Sequence, residues 1–166
     1  VSRTHIVGID PGLVHTGVVS MMFDNGFREL VVESLVVEYS EFSNPDIIWD
    51  WVKPRRAPRT EVYVEKFVPR PGMNTSPAML ELEHLIKDSI PLAQMVRNMG
   101  VKQVITPQVM STLKVWTFAQ ATNHQDLRSA ARIGLFGMAK DDDLNALLAE
   151  LLMADVDGQP WNIVHK

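Results

Sequence analysis

The chain of 166 residues contains no cysteine. Disulfide frameworks and thiolate zinc sites are therefore excluded, and any metal must sit on oxygen or imidazole ligands, which favours magnesium or manganese over structural zinc. No run of 18 or more apolar residues occurs and no basic segment leads into an apolar one, so neither a membrane span nor a signal peptide is expected. The expected location is the cytoplasm. An excess of base is also missing: 16 Lys and Arg stand against 20 Asp and Glu, for a net charge of −4. Taken alone, that balance argues against a protein that coats nucleic acid. There is no internal repeat and no low-complexity tract. An apolar content of 46% in 166 residues suits one well-filled core, so residues 1–166 are read as a single domain.

What is present is a succession of short apolar runs separated by breakers. His5 to Ile9 reads as a strand ended by Asp10-Pro11-Gly12, Thr16 to Phe23 as a second, and Asp24-Asn25-Gly26 as a hairpin turn into a third, Phe27 to Val37. Asn44-Pro45-Asp46 precedes Ile47, Ile48, Trp49 and Trp51 in the manner of a helix start, and Pro54 stops that helix. Glu61 to Phe67 alternates as a fourth strand and runs into the breaker-rich Pro69 to Gly72. From Ser76 a helical pattern extends to Met99, closed by Gly100, and Val101 to Thr106 reads as a fifth strand ended by Pro107. Helices are expected at Gln108 to Ala119, Asn123 to Ala139 and Leu144 to Ala154. This order predicts an α/β fold with a mixed five-stranded sheet flanked by helices on both faces.

Two strand carboxylates stand out. Asp10 lies where an apolar strand runs out into a Gly-bearing turn, a place where the ladder holds a carboxylate rigidly and a metal or phosphate can approach the backbone. As a tripeptide, Asp10-Pro11-Gly12 is also an ordinary turn, but Gly8 in the preceding strand has no packing value unless something comes close to it. Alternation through Tyr63, Glu65 and Phe67 puts Glu65 on the aromatic face, where burying an acid is costly unless it is paired or binds a cation; with the faces reversed it is a solvent residue. Basic residues cluster between and after these positions, at Lys53, Arg55, Arg56 and Arg59 and again at Lys66 and Arg70. A charge run of this kind is ordinarily a solvated loop.

The string Ile6-Val7-Gly8-Ile9-Asp10-Pro11-Gly12 followed by Thr16-Gly17 resembles the opening strand of the RuvC family of Holliday junction resolvases, and Val64-Glu65-Lys66-Phe67 resembles their second acidic strand. The resemblance spans nearly the whole chain and implies an RNase H-like fold and a two-metal hydrolytic site using Mg2+, with Mn2+ as substitute. It also implies a homodimer and a branched-DNA substrate. Asp10 and Glu65 would be metal-binding catalytic residues. The family completes its site with two further residues one helical turn apart in a late helix, as acid-x-x-Asp-Ala-Leu, and here the sequence departs. In one register Asp142 and Asn145-Ala146-Leu147 take the motif; in the other Asp126 and Ser129-Ala130 do. Both acids also sit near expected helix N-termini, where a negative charge stabilises by about 0.3–1 kcal/mol without catalysis. For DNA contact the candidates are Arg55, Arg56, Arg59, Lys66 and Arg70 on phosphates and Phe67 as a stacking or wedging ring, with core packing the plainer role for Phe67. Surplus apolar residues on the Ser76 to Met99 helix, with Met73 and Met79, offer a dimer seam.

The compact size and reduced motif point toward a phage-type member, located in host cytoplasm. The missing fourth carboxylate keeps open a junction-binding pseudo-nuclease. A more remote alternative is an actin-like phosphate-binding protein, whose first strand also ends in an acid and a Gly turn.

Overall fold

A computed structural model describes residues 3–74, 76–120, 122–154, 156 and 158–166. Apolar alternation and a short turn fold the first part of the chain into an antiparallel trio, β1 (Arg3–Asp10), β2 (His15–Asp24) and β3 (Glu29–Glu38). The turn is held by Asp24, whose Oδ1 accepts the Phe27 N–H at 3.1 Å. Helix α1 (Ile47–Val52) then crosses to β4 (Arg59–Lys66), which lies parallel to β1. Helix α2 (Pro77–Ser89) leads to β5 (Ala93–Arg97), parallel to β4. Two short helices, α3 (Val101–Val104) and α4 (Pro107–Thr112), precede the long α5 (His124–Lys140) and α6 (Asn145–Met153). Strand β6 (Asn162–His165) returns parallel to β3. The sheet order is β5-β4-β1-β2-β3-β6.

The α/β architecture is therefore as expected, with six strands where the sequence indicated five. Three assignments change. The helix expected from Ser76 to Met99 ends at Ser89, because Pro91 has no N–H to donate and its ring clashes with the preceding turn; the apolar residues beyond it form edge strand β5. The apolar residues expected to offer a dimer seam divide accordingly: Met73 and Leu80 stay exposed before and on α2, and those beyond Pro91 belong to β5. Val101 to Thr106 is a helical turn rather than a strand. Val101 and Ile105, both buried, satisfy helical and strand spacing alike, and Gly100 at φ 77° turns the chain into the helix. The expected helix Gln108 to Ala119 is confined to α4, with Thr106 capping it by accepting the Val109 N–H at 3.3 Å.

Both faces of the sheet are buried. On one, Ile6, Val19, Met21, Phe23 and Leu30 pack against Leu127, Ile133 and Phe136 of α5 and against α4 and α6. On the other, Val7, Ile9, Val62 and Val64 meet Ile48 and Val52 of α1 and Leu82 and Ile86 of α2. Each large side chain taken fully out of water here contributes about 1.5–3 kcal/mol. Helix α5 lies on the strands more closely than side chains would permit. A Cβ at Gly8 would collide with the Ala130 carbonyl, and one at Gly137 with the Tyr63 ring. The close approach that Gly8 signals in the sequence is thus made by a helix backbone.

His5 is fully buried at the start of β1, its Nε2 2.7 Å from Ser20 Oγ. Burial, with the nearby Arg55 charge, lowers its pKa from 6.5 to about 4. Between those values the unfolded chain binds a proton that the folded one refuses, so stability should fall as pH drops through that window, by about 3 kcal/mol in all. Urea titrations at pH 7 and pH 4 should show the loss in the parent and its absence in His5→Gln. Gly8→Ala should cost about 3 kcal/mol or more in the same assay, because its clash is with backbone. Gly134→Ala should cost less: its nearest neighbour, at 3.0 Å, is the flexible end of Met21.

Candidate metal and nucleic-acid site

Register alone brings the two strand carboxylates together. Ile9 pairs with Val64 in the parallel β1–β4 ladder, so Asp10 and Glu65 follow side by side, on strands about 4.8 Å apart. Both project to the α5 face, as Tyr63 does, which is the face expected for Glu65 from alternation. Asp10 and Glu65 share a hydrogen bond, and burial, that bond, and the charges of Glu65 and Asp126 push the Asp10 carboxyl up to about 9. Two carboxylates forced against each other cannot both ionise unless a cation joins them.

Asp126 enters from α5. It sits in the first turn of the helix, where Gly17, the cross-strand partner of Asp10, leaves room for it: a Cβ at Gly17 would fall 2.6 Å from the Asp126 carbonyl oxygen. The two registers therefore separate in space. Asp142 follows the opposite end of α5, about 25 Å along a 17-residue helix. Its neighbours Asp141 and Asp143 hold Arg59 at 3.0 and 3.3 Å, at the start of β4. The structure does not bring Asp142 to Asp10 and Glu65, whereas it does bring Asp126.

The donor set of Asp10, Glu65 and Asp126 is all oxygen and suits a hard divalent cation, and the crowding of Asp10 against Glu65 is what such a cation would relieve. Among the described residues, no three His, Cys, Asp or Glu side chains stand close enough together to hold a metal ion as they are, so a cation here would draw Asp126 toward the Asp10–Glu65 pair. Ser129, one turn beyond Asp126, lines a cavity of about 250 Å³ together with Glu65, Lys102 and Arg132.

The expected DNA-binding residues divide between the two ends of the sheet. Arg55, Arg56 and Arg59 stand at the end away from Asp10 and are engaged. Arg55 bonds Glu33 at 3.0 Å and stacks over Trp51; Arg56 lies over Trp49 and donates to the Lys53 carbonyl; Arg59 is held by Asp141 and Asp143. Lys66, Phe67 and Arg70 follow Glu65 directly and are exposed. Phe67 is 39% exposed rather than part of the core, and it lines an open groove of about 350 Å³ with Leu13 and Met79. Its backbone is fixed by the buried Glu83, whose Oε1 accepts the Phe67 N–H at 3.0 Å.

Sequence reasoning passed over Glu83 and Arg132. Each is a charged residue set among buried apolar or small neighbours on a helix, and that incongruity was the available signal. Arg132 is only 8% exposed, and its Nε–H has no partner. Leaving such a group unsatisfied costs about 1–3 kcal/mol. Burial, with Arg128 nearby, lowers its pKa, and Glu65 opposes that.

No protein-family model and no curated protein sequence matches the chain. Solved structures do. RuvC of Thermus thermophilus in complex with a Holliday junction substrate superposes with a TM-score of 0.61 at 16% identity, over 88% of this chain and 96% of that one. Thermus thermophilus RuvC in a second structure gives 0.56 at 16%, over 95% and 99%. Fowlpox virus resolvase, solved with its Holliday junction DNA, gives 0.51 at 13%, over 87% and 99%. The fold is thus of the RNase H-like class. Within that class it is the fold of the RuvC-like resolvases.

If the three carboxylates hold a cation, millimolar Mg2+ or Mn2+ should raise the melting temperature of the parent, by about 5 °C or more at a hundredfold excess over Kd. Calorimetry with and without chelator should show that shift lost in Asp10→Asn, Glu65→Gln and Asp126→Asn and kept in Asp142→Asn. The reverse behaviour of the last two would reinstate the Asp142 register.

Proposed function

We propose that the chain is a metal-dependent endodeoxyribonuclease acting on four-way or otherwise branched DNA. The observation that carries this reading is the pairing of Asp10 with Glu65 at adjacent strand ends, faced by Asp126, on a fold shared with junction resolvases. Asp10, Glu65 and Asp126 would be the residues that hold Mg2+, with Mn2+ as substitute. Bound there, the metal would supply activation of water and stabilisation of the departing 3′ oxygen of a phosphodiester.

The remaining tasks fall to the chain itself. Lys66 and Arg70, exposed just beyond Glu65, are positioned to hold phosphates of the strand. Phe67 offers its ring at the rim of the groove it shares with Leu13 and Met79, where a base lifted from a disrupted stack would find an apolar surface. Cutting two strands of a junction symmetrically calls for two copies of the site, hence a C2 homodimer.

One observation favours a second reading. In the Asp126 register Ser129, which lines the cavity beside Glu65, takes the place of the family motif's last acid, so a chain that binds junctions with weakened cleavage also fits. Incubating the parent with a synthetic four-way junction, a flap and a linear duplex separates the two readings. The nuclease reading expects cleavage of branched DNA that needs Mg2+ or Mn2+ and falls more than about 100-fold in Asp10→Asn and Glu65→Gln. Equal cleavage by both variants and the parent would remove the metal assignment. Tight junction binding without cleavage, with activity gained in Ser129→Asp, would establish the binding protein instead.

A further inference from the structure

We propose that Arg132, with Lys102, forms a phosphate subsite beside the carboxylates that receives a backbone phosphodiester of the DNA; the proposal rests on the nuclease reading for its ligand. The cavity beside Glu65 is lined by Asn98, Lys102, Gln103, Ser129 and Arg132, so apart from Glu65 its polar side chains are two cations, two amides and a hydroxyl, with no second acid. Arg132 is more than nine-tenths buried, its Nε–H is unsatisfied, and among the described residues no carboxylate pairs with it. Glu65 attracts it from a distance but is not in ion-pair contact. The other charge facing it, Arg128, is repulsive and is tied elsewhere, donating to the Trp116 carbonyl at 2.6 Å.

The contrast with Arg55 and Arg59 is informative, because those guanidiniums are matched to acids and contribute to the fold. Among the described residues Arg132 is matched to no acid, and its Nε–H has no acceptor. A guanidinium whose Nε–H is desolvated and unpaired, and which no acid neutralises, is complementary to a group presenting two oxygens that share a negative charge, and a phosphodiester has them. The ammonium of Lys102, exposed and lining the same cavity, adds charge without demanding geometry. A phosphate seated here lies against Glu65, so the subsite would orient the strand relative to the Asp10–Glu65 pair. It would also place a fixed positive charge on the side of the site where Ser129 brings no negative one.

The test measures binding with Ca2+ in place of Mg2+, so that cleavage does not intervene. Anisotropy titrations of the four-way junction over a range of salt would compare the parent with Arg132→Gln, Arg132→Lys and Lys102→Gln. Loss of one phosphate contact should weaken binding about tenfold and lower the slope of log K against log salt by about one in each Gln variant, while Arg132→Lys keeps the slope. The melting temperature of Arg132→Gln should equal or exceed the parent's, since an unpaired buried group is removed. A parental slope in both Gln variants, or a lower melting temperature with no change of slope in Arg132→Gln, would overturn the subsite. If the parent binds no DNA, the nuclease reading fails. The Arg132 Nε–H resonance then decides: a shift on titrating inorganic phosphate supports the subsite, and no shift overturns it.

Discussion

Strand β1 and helix α5 meet backbone to backbone, Gly8 against the carbonyl of Ala130, with no side chain between them. The positions of the helix-borne groups, Asp126 and Arg132, depend on that contact. It sets the height of α5 above the sheet, so that Asp126 in its first turn reaches the space over Gly17 and faces Asp10. Two and three turns further, Gly134 and Gly137 keep the helix flat against Met21 and Tyr63, and Arg132 is thereby directed to the Glu65 side. A bulkier residue at any of these points would lift the helix and separate Asp126 from the strand ends. The small residues are therefore as much a part of the site as the acids are.

Charge is sorted along the strands in a way that the net value of −4 conceals. At the end where β1 and β4 begin, positive groups meet negative ones: Arg55 with Glu33 and Arg59 with Asp141, both at 3.0 Å. Such half-exposed pairs contribute at most about 1 kcal/mol each, and they leave little potential for a ligand. At the end where the same strands finish, like faces like. Asp10 crowds Glu65, Arg132 stands near Arg128, and Lys66 and Arg70 are exposed. Order at the first end serves the fold, while the second end carries unspent interactions that stabilise nothing until something binds.

Much of this was legible before any coordinates. The strand carboxylates, the face of Glu65 and a close approach at Gly8 followed from alternation and from a glycine out of place. What resisted was of two kinds. Short segments with coincident periodicities, such as Ala93–Arg97 and Val101–Val104, fit helix and strand equally, and only the competition for a place at the sheet edge decides between them. Long-range matches were the other kind. Nothing local in Asp142 reveals that its flanking acids are taken by Arg59, more than 80 residues earlier, just as nothing in Arg55 announces Glu33. The basic run was the loudest charge signal in the sequence, and it belongs to the fold.

Strand β6 pairs its Ile163 and Val164 with Leu30 and Val31 across more than 130 residues of intervening chain. During synthesis, then, the antiparallel trio and its first parallel neighbours can assemble while the outer edge of β3 still has open backbone groups. An open edge of that kind is a template for pairing with other chains. The interval between making residue 38 and making residue 165 is therefore the vulnerable period in the life of this molecule. A chaperone acting on the nascent chain would find its natural target there.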